Sequence, residues 1–289
     1  MTLTDSQACV KSQPDLPSAG ARCLVLFRDH AYNLIMNADH VKTRLFVDMP
    51  LAVDSQLSLS DAQRHYLVNV MRLGTGASLA LFNGADGEWA GHITEIGKKQ
   101  CTINVESQLK PQVNCLDLWL LFAPVKKARL DFIAQKASEL GVSCIWPVRT
   151  DYCQISRVKD ERLAANAIEA AEQTERMDIA EIREFAGLFS VLDQIENERL
   201  LIWCDESSAG SPAHNIAVAL QGAPAHSKAA ILIGPEGGFS PAERKRLSSL
   251  KNCLKISLGT RILRADTAAI AALSCYQSIC GDWNGEISG

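Results

Sequence analysis

The chain has 289 residues, 47% of them hydrophobic and 21% charged, with a net charge of −4. That mix describes a globular chain with enough apolar residues for a sizeable core, and it excludes a disordered or collagen-like one. Ten cysteines without a CxxC pair give no zinc-type spacing, so no metal is expected, and a disulfide framework is not expected at this size. No apolar run reaches the roughly 20 residues of a membrane-spanning helix. The N-terminus lacks the basic-then-apolar order of a secretory signal, so the expectation is a cytoplasmic protein with no membrane partner.

Residues 1–42 carry little periodicity and read as a flexible extension; Met36 stands close to the first clear strand and could mark a later start. From 43 to 110 the pattern changes to short strands at 44–47, 78–82, 88–96 and 100–106, several alternating polar and apolar residues. Asn83-Gly84 and Asp86-Gly87 are turn signals between the second and third. Before them, Ser60 or Asp61 can cap a short helix that Gly74 can end. A small β-barrel is expected, and Arg64, His65 and Arg72 on or beside its helix could touch a phosphate backbone or could be solvated surface.

Residues 110–114 read as a linker, after which strands alternate with helices. Strands are expected at 116–122, 144–148, 200–204, 230–233 and 254–258. Helices are expected from about 130 to Gly141, over 163–174 and, weakly, over 212–220. The alternation implies a mostly parallel sheet with helices on both faces, an α/β domain over 115–285.

Two of these strands end in loops that bear on chemistry. The first runs Gly234-Pro235-Glu236-Gly237-Gly238-Phe239 into Ser240-Pro241-Ala242-Glu243, where Ser240 can cap a helix, Pro241 suits its first position and Glu243 completes a capping box. The second runs Leu258-Gly259-Thr260-Arg261-Ile262-Leu263-Arg264, with Asp266 a plausible cap for a helix from Thr267. Both lie at carboxyl ends of parallel strands, where open α/β sheets bind ligands. Neither the GxGxxG spacing of a dinucleotide site nor the Lys-Ser/Thr of a P-loop is present. Between Arg244 and Arg264 there are seven Lys or Arg and no acid, either a solvated face or a surface for nucleic acid.

These segments together resemble a family. GPEGGFSPAE followed by LGTRILRADTAA is similar to the SPOUT-class methyltransferases that modify N3 of a uridine in 16S ribosomal RNA. Residues 135–142, 167–176, 44–47 and 65–73 extend the resemblance upstream, so that it spans roughly 43–282. It implies a PUA-like RNA-binding barrel over 43–110 and a C-terminal α/β domain tied in a trefoil knot, a topology that composition does not reveal. It also implies a homodimer acting on 16S rRNA of the small ribosomal subunit, with S-adenosyl-L-methionine held in the knot loops. The donor contacts it points to are Leu232, Gly234, Pro235, Glu236, Gly237 and Gly238 on the first loop. On the second they are Leu258, Gly259, Ile262 and Leu263, with Thr267 beyond. A side chain at Gly238 is expected to intrude on the donor.

Uridine N3 is protonated near neutral pH and must lose that proton before or during attack. His214 and His226 stand outside both loops, so no histidine base is expected. Arg261 and Arg264 could instead stabilise negative charge on the uracil, although Arg264 could pair with Glu236 or Asp266. Arg176 is expected, from the resemblance alone, as a contact from the second subunit. Lys126, Lys127 and Arg129 join the barrel residues as candidates for holding RNA. The family commonly has Pro where Thr260 stands and Thr-Glu where Ala265-Asp266 stand, which leaves open whether Asp266 caps or functions. Two other readings remain at this point: a non-catalytic RNA-binding ribosome-assembly protein, and the same fold methylating another RNA.

Overall fold

In the computed structural model, residues 43–224 and 228–284 are described, so the expected extension, Met36 and His226 lie outside the described residues. Alternating polarity early in the chain builds a five-stranded sheet from β1 (Arg44–Phe46), β2 (Gln56–Ser58), β3 (Ser78–Phe82), β4 (Glu88–Ile96) and β5 (Cys101–Lys110), in the order β1-β3-β4-β5-β2. β1 and β3 run parallel and the other pairs antiparallel. Leu45, Leu57, Leu79, Leu81, Ile93 and Ile103 form one buried face. Register shifts between β4 and β5 bend the pair, as bulges do. The three-residue β2 was not expected; Gln-Leu-Ser is too short to show a period.

Helix α1 (Asp61–Arg64) starts at Ser60 with a capping box completed by Gln63, and continues as a π-turn over His65–Val70. It ends at Met71, and Arg72 takes the left-handed conformation (φ 57°), so the helix stops before the expected Gly74.

The second sheet has seven strands, all parallel: β6 (Leu118–Phe122), β7 (Cys144–Arg149), β8 (Glu181–Ile182), β9 (Ala186–Gly187), β10 (Leu200–Cys204), β11 (Ala229–Ile233) and β12 (Cys253–Ile256). Their order is β12-β10-β11-β6-β7-β8, with β9 extending the pairing of β7. Five helices connect them, α2 (Lys127–Glu139), α3 (Asp160–Gln173), α4 (Leu188–Gln194), α5 (Ile216–Gln221) and α6 (Pro241–Ser248), and α7 (Ala265–Ile279) follows the last strand. The weak helix expected over 212–220 divides into a 3₁₀ turn at Pro212–His214 and α5, because Asn215 caps α5 through Ala217 N–H at 2.9 Å. The α4 helix and the two-residue β8 and β9 are additions to the sequence reading.

Connections that step toward β8 use α2, α3 and α5 and pack on one face with α7; those that step toward β12 use α4 and α6 and pack on the other. A single crossover hand requires that division. Its consequence is that β10, β11 and β12 deliver three loops to the same carboxyl edge, although α6 carries the chain past β10 to reach β12. Small side chains at Ala265, Ala268, Ala269 and Ala272 bury one side of α7 in the first core.

The two sheets meet through Arg44. Its Nε donates to Glu88 Oε2 (2.6 Å) and its two Nη atoms to the Ala171 and Arg176 carbonyls (2.5 and 3.0 Å), while Phe46 N–H donates to Glu172 Oε1 (3.0 Å). The end of α3 and the turn after it are thus fastened to β1.

Candidate active site

A cavity of about 580 Å3, counting its open mouth, lies at the carboxyl ends of β10, β11 and β12. The loop after β10 contributes Asp205, Glu206 and Ala209; the loop after β11 contributes Gly234, Pro235 and Glu236; the loop after β12 contributes Leu258, Gly259, Arg261, Ile262 and Leu263. Ala265 and Ala268 of α7 close the base. Aliphatic walls with a few carboxylates and one guanidinium make a lining of the kind that holds a part-apolar, part-charged small molecule. At Gly259 (φ 106°) a Cβ would meet no atom of the chain within 4 Å, so this wall of the cavity is bare main chain.

The loops are held by an ion cluster. The Asp205 carboxylate is wholly buried and accepts from Arg244, from Lys255 (2.8 Å) and from Ser207 Oγ (2.6 Å). Arg244 also donates to Glu206 Oε1 (3.1 Å) and, through Nε, to the Phe239 carbonyl (3.0 Å). One side chain of α6 therefore ties the loop after β10 to the loop after β11. The first loop enters α6 through the expected device: Ser240 caps, Glu243 completes the box and Pro241 occupies the first turn. Glu243 Oε1 further accepts from Asp151 N–H (2.8 Å), which anchors the end of β7 to the same helix.

Burial pushes the Asp205 carboxyl up, but hydrogen bonds from Lys255, Ser207 and Arg244 outweigh it and hold it below the usual aspartate range. A depressed folded-state pKa contributes stability above the unfolded value of about 3.9 and loses it as pH falls through the folded one. The melting temperature is therefore expected to fall as pH drops below about 4, and Asp205→Asn to flatten that slope. Equal slopes in the two proteins, measured by thermal melts across that window, would remove Asp205 from the account.

Several expected donor contacts are placed differently. Leu232 is fully buried in the core on the α4–α6 face, so its side chain is no wall of the cavity. Thr267 is exposed on α7 and does not line the cavity. Gly237 borders a neighbouring cavity, where a Cβ would meet Tyr152 Cβ at 3.3 Å. At Gly238 (φ 69°) a Cβ would fall 1.8 Å from Glu206 Oε1, so the obstacle is the protein's own carboxylate before any donor. Gly234 serves packing as well: a Cβ there would lie 2.6 Å from the Phe239 ring, which stacks edge-on against Trp203.

Arg261 lines the cavity and Arg264 precedes α7; both are exposed and neither forms an ion pair among the described residues. The pairing expected of Arg264 belongs to Arg129, which meets Glu236 at 2.7 Å and Asp266 at 4.0 Å. Asp266 lies inside the first turn of α7 rather than at its cap, and accepts from Thr267 N–H (3.0 Å). Arg176 is buried, its guanidinium bonded within the chain to Asp178 (2.9 and 3.1 Å) and the Ser138 carbonyl (2.9 Å). On the barrel, His65 and Arg72 are exposed and Arg64 is half-buried; Lys126 is exposed just before α2, which Lys127 opens. Among the described residues no group of acids, histidines and cysteines could hold a metal, and no helix is long and apolar enough to cross a membrane.

Residues 111–277 match the family model described as an RNA methyltransferase domain, and 59–106 the model described as an RNA methyltransferase PUA domain. Ribosomal RNA small subunit methyltransferase E of Rickettsia conorii is 36% identical over 232 residues, which cover 80% of this chain and 93% of the relative. The chain belongs to the ribosomal RNA small subunit methyltransferase E family. The member from Bacillus subtilis is 26% identical over 231 residues, covering 76% of this chain and 90% of its own. Among solved structures, a Legionella pneumophila protein described as a methyltransferase with its cofactor SAM bound superposes with a TM-score of 0.72 at 32% identity, over 84% of this chain and all of that one. The family member from Neisseria gonorrhoeae, solved with S-adenosyl methionine, reaches a TM-score of 0.74 at 24% identity over the same shares and shows the shared fold.

Sequence reasoning missed the wall formed by Asp205, Glu206 and Ala209. The signal was available. Strand 200–204 was read with its correct end, and the carboxyl-edge rule that picked out the other two loops applies to the residues after it as well.

Proposed function

We propose that the protein transfers the methyl group of S-adenosyl-L-methionine to N3 of a uridine in 16S ribosomal RNA of the small subunit. The observation that carries this reading is the three-loop cavity at the carboxyl edge of the sheet, in a chain of this family. Its chemistry fits the donor: Leu258, Ile262 and Leu263 offer apolar surface to a base, main chain at Gly234 and Gly259 allows close approach, and Glu206 and Glu236 complement a cationic ligand. When bound, S-adenosyl-L-methionine supplies an electrophilic methyl group on a sulfonium.

The chain's part is to position the uracil and ease loss of its N3 proton. Among the described residues no histidine lines the cavity. Arg261 and Arg264, exposed and without an ion pair among the described residues, are the groups that would stabilise the anion and lower the effective pKa of the imide. Residues 43–110 serve as the RNA-reading module and 115–285 as the transfer module. The family resemblance supports a trefoil knot and a homodimer, and the 76% exposed Ile262 at the cavity mouth is apolar surface that a second copy would cover. A cytoplasmic location follows from a ribosomal substrate.

Incubating small ribosomal subunits with labelled donor and mapping the product by mass spectrometry is expected to find one N3-methyluridine in 16S rRNA. Label on 23S or transfer RNA, with none on 16S, overturns the assignment. A non-catalytic assembly role would require no donor binding at millimolar concentration by calorimetry, and the intact cavity speaks against it.

A further inference from the structure

A second cavity, about 600 Å3 with its mouth, lies directly beside the first, and the two share Pro235 and Glu236 as a common wall. Its far side comes from the ends of β6 and β7: Lys126, Arg129, Tyr152 and Gln154. We propose that this cavity receives the acceptor nucleotide, with Tyr152 as the stacking surface for the flipped uracil and Gln154 as the donor to one of its carbonyl oxygens. The inference rests on the methyltransferase reading and names the subsite that reading lacks.

Four observations converge on it. A base seated here adjoins the donor cavity across the shared Pro235 and Glu236, and transfer between two small molecules demands that they be neighbours. Tyr152 is 49% exposed and packs beside the main chain of Gly237, where an added Cβ would meet Tyr152 Cβ at 3.3 Å and the ring edge at 3.7 and 3.8 Å. An exposed aromatic face beside a ligand cavity is the usual platform for an unpaired base, and a base must leave its stack for chemistry on its ring. Gln154 is exposed, and its side chain has no hydrogen-bond partner among the described residues. Its NH2 can donate to O2 or O4 of uracil, where charge collects when N3 loses its proton. Lys126 is exposed at the rim with no carboxylate partner among the described residues, free to meet a phosphate. Arg129, by contrast, is held by Glu236 (2.7 Å) and so fixes the shared wall.

The test compares turnover on small ribosomal subunits with donor affinity measured by calorimetry in the same preparations. Tyr152→Ala is expected to lower kcat/KM roughly 10- to 100-fold, the range seen when base stacking is removed, and Tyr152→Phe to stay near wild type. Gln154→Leu, at an exposed position that threatens no core, is expected to lower kcat more than it raises KM. Donor affinity is expected to be unchanged in all three. Wild-type turnover in both Tyr152→Ala and Gln154→Leu overturns the assignment. Donor affinity that falls in step with turnover also overturns it, by making this cavity part of the donor site. A wild-type protein that binds no S-adenosyl-L-methionine overturns the proposed function itself, and the assignment with it.

Discussion

Gly238→Val is expected to abolish donor binding while leaving a folded protein. Two effects add. The backbone at Gly238 sits at φ 69°, where an L-residue costs about 1–2 kcal/mol and a β-branched one more. The new Cβ would also stand 1.8 Å from Glu206 Oε1, so Glu206 must leave the cavity wall and surrender its bond from Arg244. A charge-assisted hydrogen bond of that kind is worth about 1.5–3 kcal/mol. Both costs fall on the folded protein, bound or free; the ligand loses the wall that Glu206 forms, and a loss of donor affinity beyond about 100-fold, the equivalent of about 2.7 kcal/mol, is expected. Gly238→Ala carries the same clash with less strain and is expected to fall between. Calorimetry with S-adenosyl-L-methionine checks both; unchanged affinity in the valine variant would show that the arrangement of Glu206 and this loop is irrelevant to the ligand.

Arg44→Ala is expected to cost about 3–5 kcal/mol of stability, the range for removing one partner of a buried ion pair. Arg44 and Glu88 side chains are 9% and 6% exposed, and the guanidinium also covers the Phe82 ring at 4.4 Å. Its loss leaves Glu88 with Lys110 at 3.4 Å as its remaining cation among the described residues, and leaves the carbonyls of Ala171 and Arg176 without this donor. Lysine is a poor replacement because one ammonium cannot reproduce a fork that meets three acceptors in different directions. Urea denaturation followed by circular dichroism measures the change. A shift under about 1 kcal/mol would mean that the contact between the sheets is carried by other groups.

The legibility of this chain followed the length of its elements. Strands 78–82, 88–96 and 200–204 were readable to the residue because apolar runs with turn signals at both ends leave little freedom. Ser240, Pro241 and Glu243 announced α6 because a capping box is local chemistry that needs no tertiary context. The three-residue β2 and two-residue β8 and β9 were invisible, since a period cannot be seen in fewer than four residues. The termination of α1 was misplaced because Arg72, not a glycine, takes the left-handed conformation, and an arginine carries no sequence signal for it. At the site, the glycine loops stood out as backbone exceptions. Glycine alone, however, does not say what it makes room for. Gly238 makes room for Glu206, Gly234 for Phe239, and Gly237 for Tyr152. Each partner is distant in sequence from its glycine or, in the case of Phe239, brought back by a turn. For the same reason Arg129, not Arg264, meets Glu236: a pairing across 107 residues is set by the fold.

The three walls of the donor cavity come from widely separated stretches, 204–209, 233–236 and 257–268. A chain is synthesised from its N-terminus, and its early parts begin to fold first. A nascent chain that has emerged only as far as Glu236 has two walls and no α7 beneath them. A copy that lacks α7 lacks the base of the cavity, and one with the whole cavity gains stability from a bound ligand in proportion to the logarithm of ligand concentration over its dissociation constant.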